Sequence, residues 1–178
     1  MLFALVMLIA ASRVAATQSD AGDAVAVFQS ACLDSPGDRA ALEAYAAAKG
    51  WVALRYPERP ELRRDWIAGF RSAQGEVRMS HIPAWSEPED SDGVSRRSDE
   101  QFICSVEFPT NPDSWGVFVS DLISRQKGPE SMDISGYQGG PPDSVVSGWA
   151  LADGSRIHAT YLPSRGTLEL SFNYFPGR

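Results

Sequence analysis

Two histidines, His81 and His158, are the side chains of this chain best suited to acid–base chemistry at neutral pH. A Ser-His-Asp hydrolase needs one of them beside a serine on a sharp turn, and the sequence contains no Gly-x-Ser-x-Gly pattern. His158 alternates with apolar neighbours, which predicts a half-exposed strand residue. His81 falls on the apolar side of another predicted strand, where we expect it to pack or to bond a backbone carbonyl. A hydrolase that uses either histidine with a nearby carboxylate is an alternative interpretation.

The two cysteines, Cys32 and Cys104, could form a disulfide or act as reactive thiols. Neither has charged neighbours that would lower a thiol pKa, which disfavours the reactive role. Two cysteines in an exported chain most often pair, so we predict a Cys32–Cys104 disulfide. Such a bond would close a loop of about 70 residues and contribute roughly 4 kcal/mol in the chain-entropy model.

No spacing in the sequence predicts a metal or cofactor site. The acidic run that ends at Gly93 resembles a calcium loop, but this alignment puts Pro88 at the first ligand position and Asp99 at the last. The glycines between 136 and 140 lack the lysine and the following helix of a phosphate-binding loop. The histidines lack the His-Glu-x-x-His spacing of a zinc site. We therefore expect no metal and no cofactor.

Two aromatic residues, Trp85 and Tyr137, lie in predicted loops outside any apolar period. Exposed aromatic side chains on loops often bind partners or ligands, so both are candidate binding residues. The alternative is that each folds back to cover the edge of the core.

The overall charge of the chain restricts its partners. The 178 residues include 16 basic and 23 acidic side chains, for a formal net charge of −7. A surface of this sign repels phosphate backbones and anionic lipid, so we expect no nucleic-acid partner.

The first residues have the features of a secretory leader. Residues 1–11 are apolar, and Val14, Ala15 and Ala16 supply the small residues of a cleavage site. We expect residues 1–16 to be a signal peptide, residues 17–178 to form one domain in the periplasm or outside the cell, and no membrane span after cleavage. About 11 apolar residues are half of what spanning needs.

Helical periodicity dominates the beginning of that domain. A first helix is predicted from Asp23, with Cys32 on its inward face. A second is predicted after Ser35 as N-cap, with its apolar stripe ending at Ala48 and Gly50 just beyond. Trp51 is expected to fold back onto the core.

The middle of the chain mixes short elements with loops. A short helix is predicted from Pro60, with Leu62, Trp66, Ile67 and Phe70 facing inward. Strands are predicted at 76–82 and 102–108, and an amphipathic helix at 115–123. Long loops are predicted at 83–100 and 128–144, where charged residues or Gly and Pro dominate.

The last third alternates between apolar and polar residues and predicts an antiparallel meander of three strands, at 145–151, 156–162 and 168–174. The sequence thus predicts an α+β fold, with N-terminal helices and one central helix packed on a mainly antiparallel sheet. The most favoured function is that of a noncatalytic exported binding or accessory protein, whose two long loops contact an envelope protein. A module that binds envelope glycan through Trp85 and Tyr137 is a further alternative.

Overall fold

A computed structural model of the chain describes residues 24–58, 62–72, 75–87, 96–110, 115–132 and 143–177. Its helical segments are α1 (residues 24–33, ending in a π-helical turn at Gln29–Leu33), α2 (Arg39–Ala48) and α3 (Trp115–Ser124). Its strands are β1 (Val52–Ala53), β2 (Trp66–Arg71), β3 (Glu76–Ile82), β4 (Trp85–Glu87), β5 (Arg96–Ser98), β6 (Gln101–Pro109), β7 (Glu130–Ser131), β8 (Val145–Ala150), β9 (Arg156–Leu162) and β10 (Thr167–Tyr174).

The main element is one eight-stranded sheet in the order β1-β2-β3-β6-β10-β9-β8-β7, and every neighbouring pair in it is antiparallel. The predicted C-terminal meander corresponds to β8, β9 and β10. A dominant sheet, with three helical segments among the described residues, confirms the α+β class.

The two faces of this sheet differ sharply in polarity. Since side chains alternate along a strand, residues in register across neighbouring strands share a face. One row runs across β3, β6, β10 and β9 on what we call the apolar face: Met79, Cys104, Phe172 and Ile157. The adjacent row lies on what we call the polar face: Arg78, Ser105, Ser171 and His158.

The apolar face belongs to a single buried cluster that also contains residues of α1 and α3, such as Phe28 and Leu122. Within it, Cys32 at the end of α1 is bonded to Cys104 of β6, with their Cα atoms 5.4 Å apart. The predicted disulfide is confirmed. It joins residues 72 positions apart and ties the helical N-terminal part directly to the middle of the sheet.

Helix α2 begins later than predicted. The Asp38 carboxylate, and not Ser35, caps the helix by accepting a hydrogen bond from the Ala41 N–H at 2.9 Å. Gly37, at φ 76°, redirects the chain just before this cap, so the turn that precedes the helix extends further than the sequence pattern suggested. The buried residues of α2 are Leu42 and Ala46, whereas Ala48 of the predicted stripe is exposed.

The predicted helix from Pro60 is wrong, because residues 66–71 form strand β2. The spacing of Trp66, Ile67 and Phe70 fits one face of a helix, whereas in β2 Trp66 and Phe70 share a face and Ile67 lies on the other. Pairing with β3 decides in favour of the strand, and aromatic and β-branched residues suit that pleated surface.

The two predicted loops contain strands at their described ends. Strands β4 and β5, within 83–100, pair only with each other, and β7, within 128–144, pairs with β8. Strands of two or three residues carry too little alternation to be detected. The predicted signal peptide and Tyr137 lie outside the described residues. None of the helices that are described is long and apolar enough to cross a bilayer.

Candidate functional site

A cavity of about 570 Å³ lies beside β2 and β3, under the chain segment that leads into β2. This volume is in the range typical of small-ligand sites. Its lining combines aromatic, basic and acidic residues: Tyr56, Trp66, Arg64, Arg78, Glu58 and Asp65. The Trp66 ring itself packs on the apolar face against His81 and Phe102. The cavity therefore offers the Tyr56 ring and hydrogen-bonding groups to the same bound molecule.

Tyr56 forms one wall and is fixed on two sides. Its ring lies against Gly69 of β2 so closely that any Cβ at that position would overlap it. Its hydroxyl donates to Glu76 Oε1 at 3.0 Å. Burial, together with this hydrogen bond to a carboxylate, raises the pKa of Tyr56 to about 12. The side chain is therefore a neutral phenol held in one position at physiological pH.

Arg78 lies at the cavity on the polar face and is surrounded by carboxylates from three strands. Its guanidinium lies 3.1 Å from Glu169, 3.7 Å from Glu107 and, through Nε, 3.8 Å from Glu76. Arg71 also lies 3.4 Å from Glu76, so three carboxylates and two guanidinium groups leave a net negative charge beside this part of the cavity. The surroundings of Arg78 thus disfavour an anionic ligand here.

The opposite wall is a turn at residues 62–65, which is anchored from outside the cavity. Asp65 Oδ2 lies 3.0 Å from His81 Nδ1. Arg63 adopts a left-handed φ of 51°, which turns its guanidinium over the Trp85 ring at 4.3 Å and into an ion pair with Glu87. Two of the candidate residues from the sequence, His81 and Trp85, thus come together as supports of one cavity wall.

His81 has carboxylates at both ring nitrogens. Besides Asp65, Glu100 Oε1 lies 3.0 Å from Nε2, and the ring stacks on Phe102 at 4.5 Å between centroids. We expected His81 to pack or to bond a backbone carbonyl; the ring does pack on Phe102, and its nitrogens face two acidic side chains and not a carbonyl. Since both nitrogens are occupied, the ring connects three parts of the chain and directs neither nitrogen at the cavity.

His158 lies away from the cavity, three strands from Arg78 along the polar face, or about 14 Å at the usual strand spacing. It is opposite Ser171 of β10 and Gly148 of β8. Burial, and then the nearby charge of Arg156, lowers the pKa of His158. The ring is therefore neutral at physiological pH, a state in which it can accept a proton.

Sequence reasoning missed the residues that form the cavity. Tyr56 was assigned to a connector, and Asp65 lay within a helix that does not form. The signal for Arg78 was present, because alternation along 76–82 places it opposite Val77 and Met79. Within the described ranges, no three His, Cys, Asp or Glu side chains group as metal ligands.

Comparison of the chain with protein-family models, curated proteins and solved structures finds no match.

Proposed function

We propose that this chain is an exported, noncatalytic binding protein whose ligand is a neutral polyhydroxylated molecule of the glycan type. The observation that carries the proposal is the cavity beside β2 and β3, in which the aromatic residue Tyr56 and several charged residues line one space of about 570 Å³.

The chemistry of a sugar matches this lining. The C–H groups on one side of a pyranose form an apolar surface that packs on an aromatic ring such as that of Tyr56. The hydroxyls at its edge both donate and accept, so they can bond carboxylates and guanidinium groups together. A neutral ligand also avoids the repulsion that the glutamates around Arg78 would exert on an anion.

Rigid walls favour binding, because a preformed site loses little conformational entropy when a ligand enters. Tyr56 is held by Gly69 and Glu76, and the 62–65 turn is held by His81 and Trp85. In this proposal His81 and Trp85 act through the wall and do not touch the ligand.

Export is part of the proposal. The internal disulfide is compatible with an oxidising compartment, where such bonds persist. The contact of a protein partner with the loops at 83–100 and 128–144 stays a prediction, and so does a binding role for Tyr137.

The proposal is tested by screening mono- and oligosaccharides against the full chain by ligand-observed NMR. We expect a sugar to bind, and expect Tyr56→Ala and Glu58→Gln each to weaken its binding at least tenfold. Arg125→Gln is the matched control, because Arg125 pairs with Asp121 on α3, away from the lining residues, and should leave binding within twofold. Failure of every sugar to bind, or binding that is insensitive to Tyr56→Ala, overturns the proposal.

One observation favours a second function, a small hydrolase. His158 is directly opposite Ser171, which places a base and a hydroxyl on neighbouring strands of the polar face. A hydrolase of this kind also needs a carboxylate to orient the histidine. Glu169, the neighbour of Ser171 on the polar face of β10, is already bonded to Arg78, which disfavours this function. An esterase or glycosidase activity that is lost in both His158→Gln and Ser171→Ala, and retained in His81→Gln, would favour the enzyme over the binding protein.

A further inference from the structure

A second cavity, of about 430 Å³, lies at the end of the sheet where β5 and the start of β9 meet the C-terminal residues. Its lining is polar and contains two arginines: Arg97 of β5 and Arg156 of β9, with Ser98, Asp99, Gln101 and Phe175. None of these residues lines the cavity beside β2 and β3.

The two arginines of this second cavity, unlike several others, form no ion pair with a described residue. Five arginines elsewhere lie within ion-pair distance of a carboxylate: Arg39, Arg63, Arg71, Arg78 and Arg125. Among the residues that the structure describes, no carboxylate lies within that distance of Arg97 or Arg156. In a chain with a net charge of −7, two such guanidinium groups at one cavity are a local reversal of sign.

Arg156 is also held in position. Its guanidinium lies over the Phe175 ring, 5.5 Å from the ring centroid, and Phe175 is only 9% exposed. Stacking on a buried ring fixes the plane of the guanidinium and leaves its edge N–H groups available. The positive field of Arg156 is felt at His158, two residues along the strand, where it helps to lower the pKa of the imidazole.

The surrounding polar groups suit the same ligand. The Gln101 amide lies 3.5 Å from the Ser98 hydroxyl, which itself donates to the Asp99 carbonyl at 3.2 Å. The amide of Gln101 can add a neutral donor beside the two guanidinium groups. Asp99 supplies the one carboxylate of the lining and opposes an anion, so the two arginines leave the cavity with a net positive charge.

We propose that this cavity is a binding site for a small oxyanion (a carboxylate, phosphate or sulfate group), held by the guanidinium groups of Arg97 and Arg156. Such groups match the planar fork of arginine and form charge-assisted, often bidentate hydrogen bonds. The proposal is independent of the glycan-type ligand proposed for the other cavity.

The test is a titration of the full chain with inorganic phosphate, sulfate and acetate at constant ionic strength, followed by backbone amide chemical shifts, with chloride as the reference anion. We expect at least one oxyanion to shift the amides around 97–101 and 156 saturably, where chloride does not. Arg97→Gln and Arg156→Gln should each weaken binding about tenfold or more. Arg156→Lys should weaken it less, because it keeps the charge and loses the fork.

Arg125→Gln removes one positive charge from an existing ion pair and is the matched control, with binding expected within twofold of the wild type. Arg97 is exposed, so its variant retains the fold even if an Arg156 variant does not. Shifts no larger than those with chloride overturn the proposal. So does equal loss of binding in Arg125→Gln and Arg97→Gln, which would show a general charge effect.

Discussion

The two faces of the eight-stranded sheet are formed by the same strands but differ in burial and polarity. On the apolar face, Met79, Cys104, Phe172 and Ile157 are at most 4% exposed and share a buried cluster with α1 and α3. One residue away along each strand, the polar face carries charged and hydroxyl side chains, and its Arg78 lines the cavity beside β2 and β3. Since neighbouring residues alternate between the two faces, β3 contributes at once to stability and to the candidate site.

Substitutions on the two faces should therefore affect different properties of the protein. Residues of the apolar face should change the free energy of unfolding and leave ligand binding intact in whatever fraction stays folded. Residues of the polar face that line the cavity should do the reverse. Gly69 is an exception, because the Tyr56 ring packs directly against it.

The largest effect is expected from the disulfide, which anchors the apolar face to α1. Replacing both cysteines, in Cys32→Ser with Cys104→Ser, should lower the free energy of unfolding by about 4 kcal/mol, because a loop of 72 residues is no longer closed in the unfolded chain. Urea denaturation followed by far-UV circular dichroism measures this loss. Reduction of the wild type should give a similar loss, and an unchanged midpoint in both cases would contradict the prediction.

A sharper comparison uses two adjacent residues of β10. Leu170 is fully buried on the apolar face, and Ser171 lies on the polar face. Leu170→Ala should cost about 3 kcal/mol, since it removes buried methyl groups and leaves a cavity, whereas Ser171→Ala should cost less than about 1 kcal/mol. Denaturant unfolding of both variants measures the two losses in the free energy of unfolding. Equal losses would show that the two faces are not divided as described.

Gly69 is the point at which the polar face should behave like a packed core. Gly69→Ala places a methyl group into the Tyr56 ring, so we expect a cost of about 2 kcal/mol and a displaced cavity wall. Gly116→Ala is the control, because a Cβ there meets no atom within 4 Å and helix propensity favours alanine. Thermal unfolding compares the two, and an equally stable Gly69→Ala variant would argue against the packing of Tyr56.

The smallest effect concerns His158 and acidity. Its folded-state pKa is lowered by burial and by Arg156, so the unfolded chain binds the proton more readily. Stability should therefore fall as the pH decreases through the ordinary histidine pKa, about 6.5, and level off below the folded-state value. His158→Gln should flatten this part of the curve. Denaturation at pH 8, 7, 6 and 5 measures it, and parallel curves for the two proteins would contradict the prediction.

Local patterns predicted the parts of the fold that depend on one strand or helix at a time. The alternation of Leu168, Leu170 and Phe172 predicted β10. The presence of two cysteines in a chain predicted to be exported was enough to predict their disulfide. Sequence periodicity failed where pairing between strands decided the structure. The apolar spacing of residues 66–71 predicted a helix, and these residues form β2.

The cavity could not be predicted for a related reason. Its residues come from a connector, a turn and two strands, and only the sheet register brings Tyr56 over Gly69 or Asp65 to His81. The sequence offers no periodic signal for such contacts. His81 and Trp85 were identified as candidates by residue type, and their role as wall supports depends on partners that lie 16 and 22 residues away in the chain.

The Cys32–Cys104 bond encloses α2, β1 to β5 and the whole lining of the cavity beside β2 and β3 within one covalent ring. A protease that cuts once anywhere between these two cysteines therefore releases no fragment. The nicked chain should keep its full mass on a non-reducing gel, with the cavity walls still held in place. It should separate into two pieces only after reduction.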